Sequence, residues 1–264
     1  MKKNTSIELN RILNNKTLGS SELESLLNSY FFSIRNNQSK IKNSMSLVKN
    51  KLGYFATINS YLNNLNEQLK GNKKTSLEKF FQEYSSKTEK ETEIIFNKIN
   101  LHLAKVDSVL TLSRSGNVLG ILKLWYKNNK NLKVVVCESR PKYEGRLAAK
   151  ELAKLGIKVD LITDAMMAIF VPKVDSAIVG ADSVLINGNV INKVGSQALA
   201  LFCKEYKKPF YVVTSRSKFS KKNKFKIKKD NPKEIWDKRT KNLSINNIYF
   251  EEVPKKLITK IFTD

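Results

Sequence analysis

Short apolar runs alternate with helical patterns between residues 134 and 214. The runs are rich in Val and Ile and predict strands at Val134–Cys137, Lys158–Ile162, Ser176–Val179 and Phe210–Val213. Between them, apolar residues recur at the three- and four-residue spacing of helices. Strands that are apolar on both faces and separated by helices indicate a parallel sheet with crossover helices. We therefore predict an α/β fold with a Rossmann-like, mainly parallel sheet.

The residues before this sheet carry a different pattern. Apolar residues recur at helical spacing over Ile41–Leu69, and no proline precedes Pro141. This predicts an N-terminal all-helical domain over residues 1–105. An α/β ligand-binding domain is expected over residues 106–264, and its first strand over Asp107–Leu112.

Polar residues stand at the ends of the predicted strands, where parallel sheets bind ligands. After the first strand, a turn of Ser113, Arg114 and Ser115 leads into a helix near Gly116. Backbone N–H groups at a helix N-terminus suit an anion, and the guanidinium fork of Arg114 suits a phosphate. Later strands are followed by Glu138–Arg140, Thr163–Asp164, Gly180–Asp182 and Asn192–Ser196. The pattern predicts a site for a phosphorylated sugar or nucleoside.

The formal net charge of +24 raises the question of a nucleic-acid partner. Its distribution argues against one, because residues 134–214 hold 11 basic and 8 acidic residues and the excess lies in the flanks. There, lysines stand among Asn and Ser, with few aromatic residues that could stack on bases. The favoured interpretation is a solvated Lys-rich surface, and residues 215–229 are predicted to form an exposed, partly mobile loop. Nucleic acid is the least favoured partner.

The two cysteines, Cys137 and Cys203, lie in apolar contexts without metal-ligand spacing. We expect reduced core thiols, no metal and no cofactor. The N-terminus has basic residues but lacks the apolar segment of a signal peptide, and no apolar run approaches the ~20 residues that span a bilayer. These features favour a soluble, cytoplasmic protein without a membrane partner.

Three motifs carry a resemblance to a known family: E-S-R-P-K-Y-E-G-R at Glu138–Arg146, G-A-D followed by N-G-N-V-I-N-K-V-G-S within Gly180–Ser196, and K-K-P-F-Y-V-V at Lys207–Val213. From about Asp107 onward, the chain resembles the initiation factor 2B-related family. That family holds the regulatory alpha, beta and delta subunits of initiation factor 2B and two isomerases, which act on methylthioribose 1-phosphate and ribose 1,5-bisphosphate. The resemblance implies a homo-oligomer, at least a dimer paired through the α/β domains.

The resemblance also implies roles for residues of the second motif. Asp182 matches the catalytic aspartate of the isomerases and would act as acid or base if burial raises its pKa. Asn192 and Lys193 match a pair that is expected to bind substrate oxygens and phosphate. Gly195 and Ser196 follow at a helix start, where backbone N–H groups help to bind an anion.

The catalytic cysteine of the isomerases has no match, because Ser113 stands in its place. A serine hydroxyl does not ionise near neutral pH and needs an adjacent base. Asp182 and Ser113 are therefore the candidate catalytic residues, and half of the expected acid–base pair is missing. Cys137 is interpreted as a core residue, and His102, the only histidine, as a surface or packing residue.

Glu138, Arg140 and Glu144 match a Glu-x-Arg-Pro-x-x-x-Gly motif and its neighbourhood in the resembled family. Such a cluster either contacts the ligand or fixes the loop or a dimer interface. The sequence leaves both interpretations open.

Two functions follow from the resemblance. The first is an initiation factor 2B alpha/beta/delta-like protein that binds a sugar phosphate or nucleoside phosphate, is regulatory and non-catalytic, and has a translation factor as a possible partner. The missing cysteine favours this first function. The alternative is an aldose–ketose isomerase of a phosphorylated pentose, either ribose 1,5-bisphosphate or methylthioribose 1-phosphate, with Asp182 at its centre.

Overall fold

The computed structural model describes residues 5–15, 18–53, 55–71, 74–238 and 240–264. The chain divides into two compact units, Met1–Glu91 and Thr92–Asp264. The assignment of residues 1–105 and 106–264 to separate domains stays a prediction.

The first unit is helical, as its apolar spacing predicts. Its helices are α1 (Thr5–Leu13), α2 (Ser20–Ser33), α3 (Gln38–Leu52), α4 (Ala56–Lys70) and α5 (Lys74–Leu103), of which α5 ends in the second unit. The apolar stripes of these helices meet in one core, which includes Leu27, Phe31, Ile41, Tyr61 and Leu65. Burial of these faces stabilises the helices more than the intrinsic preference of their residues does.

The second unit alternates strands and helices, as predicted. In chain order they are β1 (Ser108–Leu112), α6 (Gly116–Asn128), β2 (Lys133–Cys137), α7 (Glu144–Lys154), β3 (Lys158–Ile162), α8 (Met167–Phe170), β4 (Ser176–Val179), β5 (Ser183–Val184), β6 (Val190–Lys193), α9 (Ser196–Glu205), β7 (Phe210–Val213), β8 (Phe250–Val253) and β9 (Lys260–Phe262). Six strands form one parallel sheet in the order β3-β2-β1-β4-β7-β9. The predicted Rossmann-like sheet is confirmed.

Both faces of this sheet are buried, which explains why its strands are apolar without alternation. Along β1, Val109 packs into the cluster on one face and Leu110 into the cluster on the other. Cys137 and Cys203 are free, buried thiols, so their interpretation as core residues is confirmed. Among the described residues, no three His, Cys, Asp or Glu side chains are grouped to hold a metal ion. None of the described helices is long and apolar enough to cross a membrane.

The strand order places a crevice at one point of the sheet edge. From β1 the chain first builds outward through β2 and β3, and then returns to the other side of β1 with β4 and β7. Crossovers on opposite sides of β1 leave a gap beyond the carboxyl ends of β1 and β4, where such folds bind ligands. The turn after Leu112 and the segment Gly180–Asp182 both lie at this gap.

A second, antiparallel sheet follows the end of β4. It has the order β5-β6-β8, and its register pairs Ser183 with Ile191 and Lys193 with Phe250. The backbone N–H of Asp182 donates to the carbonyl oxygen of Ile191 at 2.8 Å. The small sheet therefore brings Asn192 and Lys193 beside Asp182.

Candidate functional site

The turn after β1 is held against the ends of two neighbouring strands. Ser113 has a φ of 68°, and its N–H donates to Ser139 Oγ at 2.7 Å. Ser115 lies against Gly180 at the end of β4, where an added Cβ would stand 2.4 Å from Ser115 Oγ. Only glycine permits this approach. The turn is thus placed directly beside the Gly-Ala-Asp segment.

The carboxyl group of Asp182 is buried at this edge and stands among charged side chains. Burial raises the pKa of its carboxyl, the positive charges of Lys218 and Lys193 oppose that effect, and the negative charge of Glu144 adds to it. The net result is a raised pKa. A carboxyl group with a raised pKa keeps its proton to a higher pH than an exposed one, as a general acid must.

Lys193 and Glu144 form a buried ion pair next to Asp182. Lys193 Nζ lies 3.1 Å from Glu144 Oε1, and the two side chains are only 4% and 14% exposed. The second carboxylate oxygen of Glu144, Oε2, is buried without a hydrogen bond to any described group. The ring of Tyr249 lies beside the pair, with its centroid 5.1 Å from Lys193 Nζ and 3.7 Å from Lys142 Nζ. Two ammonium groups thus lie over the same aromatic ring, and one of them pairs with Glu144.

Arg114 turns toward α7. Its Nη2 lies 2.8 Å from Glu151 Oε2, while Lys123 Nζ lies 2.9 Å from Glu151 Oε1. Burial works to raise the pKa of Glu151, but the hydrogen bonds from Lys123 and Arg114 outweigh it and the pKa is lowered. The guanidinium predicted to meet a phosphate is therefore bonded to a carboxylate of its own chain.

Two helix N-termini lie at the site, and they differ in the side chains that accept hydrogen bonds from their backbone N–H groups. At α9, Glu251 Oε1 accepts hydrogen bonds from the N–H groups of Gly195 and Gln197 at 2.7 and 2.8 Å. At α6, the N-cap Ser115 makes no side-chain cap. An internal carboxylate thus occupies the place at α9 where an external anion would bind, whereas the side chain of Ser115 leaves the N–H groups at the start of α6 uncapped by itself.

Asn192 and Ser196 hold the turn between β6 and α9. Asn192 Nδ2 donates to Ser196 Oγ at 2.9 Å, and Ser196 Oγ donates to the carbonyl oxygen of Lys193 at 2.6 Å. Ser196 is fully buried. Together with Gly195, whose φ is 101°, these contacts fix the backbone from which Lys193 extends.

The Glu-x-Arg-Pro motif has two structural roles. The carboxylate of Asp164 accepts hydrogen bonds from the N–H groups of Ser139 and Arg140 at 2.8 and 2.7 Å, and Glu138 pairs with Arg146 at 2.6 Å. These contacts fix the turn that leads into α7. Glu144, by contrast, reaches Lys193, so the motif contributes one residue to the site and uses the others to position it.

Comparison with known proteins shows to which family the chain belongs. A model described as the Initiation factor 2 subunit family matches residues 5–264. The chain belongs to this family.

Relatives of this family member carry two kinds of name. A ribose 1,5-bisphosphate isomerase of Archaeoglobus fulgidus is 34% identical over 163 residues, which cover 60% of this chain and 52% of that protein. An eIF-2B subunit 2-like protein of Pyrococcus abyssi is 37% identical over 160 residues, which cover 60% of this chain and 56% of that protein. The chain spans about half the length of these curated relatives.

Solved structures share the fold over the whole chain. The translation initiation factor eIF-2B of Pyrococcus horikoshii superposes with a TM-score of 0.80 at 27% identity, covering 100% of this chain and 96% of that one. The 5-methylthioribose 1-phosphate isomerase of the same organism has a TM-score of 0.83 at 19% identity, covering 98% and 82%. The second likeness is one of fold alone.

One basic residue near the site of this initiation factor 2 subunit family protein is not predicted by the sequence pattern. Lys218 was assigned to the exposed loop over residues 215–229, but its side chain is only 5% exposed, so that part of the prediction is wrong. Lys218 Nζ donates to the carbonyl oxygen of Ala181 at 2.6 Å, and its charge acts on Asp182. Its position just beyond the carboxyl end of β7 was the available signal, and the surrounding lysines obscured it.

Cys137 and His102 are the two residues considered as substitutes for the missing cysteine, and the structure shows the surroundings of both. Burial raises the pKa of Cys137 to about 12, with a further contribution from the charge of Asp164, so its thiol stays protonated near neutral pH. The ring of His102 packs against Phe262 and Tyr211, at centroid distances of 5.2 and 5.9 Å, which confirms its interpretation as a packing residue. Cys137 therefore offers no thiolate near neutral pH, and His102 packs among aromatic rings.

Proposed function

We propose that this protein is an aldose–ketose isomerase that acts on a phosphorylated pentose of the ribose 1,5-bisphosphate type. The observation that carries the proposal is the Asp182 carboxyl, whose pKa is raised and which lies among Lys193, Lys218 and Glu144 at the gap between β1 and β4. Moving a proton between adjacent sugar carbons needs such a proton-holding group beside cations that bind the sugar's anionic parts. Relatives named ribose 1,5-bisphosphate isomerase, 34% and 33% identical to this chain, support the choice.

In this proposal, each side chain of the site has a defined part. Asp182 exchanges a proton with a sugar oxygen, and Lys193 and Lys218 bind phosphate or sugar oxygens through charge-assisted hydrogen bonds. The N–H groups at the start of α6, near Ser115 and Gly116, donate hydrogen bonds to a phosphate. Asn192, Gly195 and Ser196 hold the backbone that presents Lys193. Ser113 lines the turn and carries no ionisable group.

A second function is supported by one observation. Ser113 offers no thiolate, and the Cys137 thiol stays protonated, so the chain could bind the sugar or nucleoside phosphate without converting it. It would then be a regulatory protein of the initiation factor 2B alpha/beta/delta kind, with a translation factor as its partner. The eIF-2B subunit 2-like relatives support this second function.

A turnover assay separates the two functions. The purified chain is incubated with ribose 1,5-bisphosphate or methylthioribose 1-phosphate, and formation of the ketose is measured. Turnover on the order of 1 per second or more, within the usual range of enzymes, is the expected result. Saturable binding without turnover, together with turnover gained by Ser113→Cys, would replace the isomerase with the binding protein.

A further inference from the structure

Two carboxyl groups, not one, face Lys193. Glu144 touches it at 3.1 Å, and Asp182 lies within reach of the charges of both Lys193 and Glu144. Asp182 comes from the segment after β4, whereas Glu144 is the first residue of α7. Two acidic groups with different surroundings around one cation are the arrangement from which acid–base pairs are made.

The ion pair with Lys193 accounts for one carboxylate oxygen of Glu144 but not for the other. Its Oε2 is buried without a hydrogen bond to a described group, and a buried polar atom left so is unfavourable. Tyr143, the residue before it, has a φ of 59°, a backbone conformation that is costly for a bulky side chain. Backbone strain and an unsatisfied polar oxygen at the same place are typical of residues in functional sites.

We propose that Glu144 is a catalytic residue: it is the base that removes the proton from the sugar carbon, acting together with Asp182. It does the work for which Ser113 has no ionisable group. This inference rests on the proposed isomerase function. The different surroundings of the two carboxyl groups assign the base to Glu144 and the acid to Asp182. Glu144 has an ammonium partner at 3.1 Å, whereas burial raises the pKa of the Asp182 carboxyl.

The assignment gives a balanced reaction on a ring-form pentose 1-phosphate. Glu144 takes the proton from C2, and the electron pair of the C2–H bond forms a C1=C2 double bond. The bond from C1 to the ring oxygen breaks, and the ring oxygen takes its proton from Asp182. In the second half, Glu144 returns its proton to C1 while the hydroxyl on C2 gives its proton to Asp182 and becomes the ketone. Both side chains end as they began, and the phosphates stay attached.

The test compares two variants with the same chemical change. Glu144→Gln keeps the size of the side chain but cannot take a proton, so kcat on ribose 1,5-bisphosphate should fall about 10²–10⁴-fold, with KM changed only a few-fold. Glu205→Gln is the matched control, because Glu205 is an exposed carboxylate at the end of α9, a helix that begins at the carboxyl edge of the sheet and runs away from it. Its kcat should stay near that of the wild type.

Chemical rescue separates a base from a positioning group. Formate added to Glu144→Ala should restore part of the lost kcat, because a small carboxylate can enter the vacated space and take the proton. The fall of wild-type kcat/KM on the acid side of the pH profile should be absent in Glu144→Gln. Should the Gln variant unfold, Glu144→Asp replaces it, and a kcat reduced by the shorter reach is expected.

The outcomes distinguish this inference from the function on which it rests. No turnover by the wild type would overturn the isomerase proposal and Glu144 with it. Wild-type turnover with an undiminished kcat in Glu144→Gln or Glu144→Asp would overturn Glu144 alone. A loss of kcat that formate cannot restore, with the acid limb unchanged, would reduce Glu144 to a positioning residue and also contradict the proposal.

Discussion

At the scale of single residues, Lys193 shows how a charge is kept inside this protein. Its ammonium group is almost fully buried, yet it has Glu144 at 3.1 Å, the ring of Tyr249 at 5.1 Å and the nearby carboxyl of Asp182. A buried ammonium with such partners is held in place and can meet an incoming anion without reorganisation.

Lys193→Ala should weaken the binding of ribose 1,5-bisphosphate by about tenfold or more, the effect of losing one charged hydrogen bond. Calorimetric titration measures the affinity. Lys150→Ala, which removes an exposed lysine of α7, is the control and should bind like the wild type. Equal affinities in the two variants would remove Lys193 from the binding site.

The titration of Asp182 predicts how stability depends on pH. Burial is the largest cause of its raised pKa, so the folded chain holds this proton more tightly than the unfolded chain. The protonated Asp182 carboxyl therefore contributes to folding stability below about pH 4, the pKa of an Asp in the unfolded chain. This contribution is lost as the pH rises through the pKa of Asp182 in the folded chain.

Asp182→Asn cannot ionise and should therefore unfold at a higher temperature than the wild type at pH 7.5, with a difference that shrinks toward pH 4. Thermal unfolding at several pH values measures this. Asp160→Asn removes an exposed carboxyl on β3 and should show no such trend. A variant less stable than the wild type at pH 7.5 would mean that Lys193 and Lys218 outweigh burial.

At the scale of secondary structure elements, the contrast between α6 and α9 decides where an anion can bind. Both helices begin at the carboxyl edge of the sheet, and sequence alone assigns both starts to ligand binding. Glu251 of β8 bonds the N–H groups at the start of α9, so Gly195 and Ser196 serve the turn, while the N-cap Ser115 of α6 makes no side-chain cap. Phosphate binding is therefore expected at α6.

Glu251→Ala should destabilise the protein by about 1 kcal/mol, because two N–H groups at the start of α9 lose their acceptor. The melting temperature should fall by roughly 2–4 °C for a domain of this size. Glu251→Gln keeps an acceptor oxygen at the same reach and should lose less. A melting temperature unchanged in the Ala variant would show that water replaces the carboxylate without loss.

At the scale of the whole molecule, the family model matches residues 5–264 of this chain, but the chain spans only about half the length of its curated relatives. Its positive charge is concentrated in the flanks, where the described lysines 221–229 are exposed. The α/β unit has its own core on both faces of the sheet. Pairing of two copies through this unit stays a proposal that rests on the resemblance to family dimers.

Sedimentation tests this proposal directly. At micromolar concentration the protein should sediment as a species of about twice its chain mass of 30.2 kDa or larger, because the resemblance implies a symmetric dimer. High salt serves as the control for non-specific association of so basic a chain. A single species of 30.2 kDa across the concentration range would contradict the dimer.

The sequence by itself determined the helical first unit, the parallel sheet and the edge that carries the polar residues. It could do so because apolar spacing reports which faces are buried, and because the Gly-Ala-Asp and Asn-Lys motifs are local in the chain. The tertiary structure decided which polar residues meet. Glu144 and Lys193 are 49 residues apart, Gly195 and Glu251 are 56 apart, and Lys218 lies among exposed lysines. Strand order and register create these contacts, and no local pattern of residues encodes them.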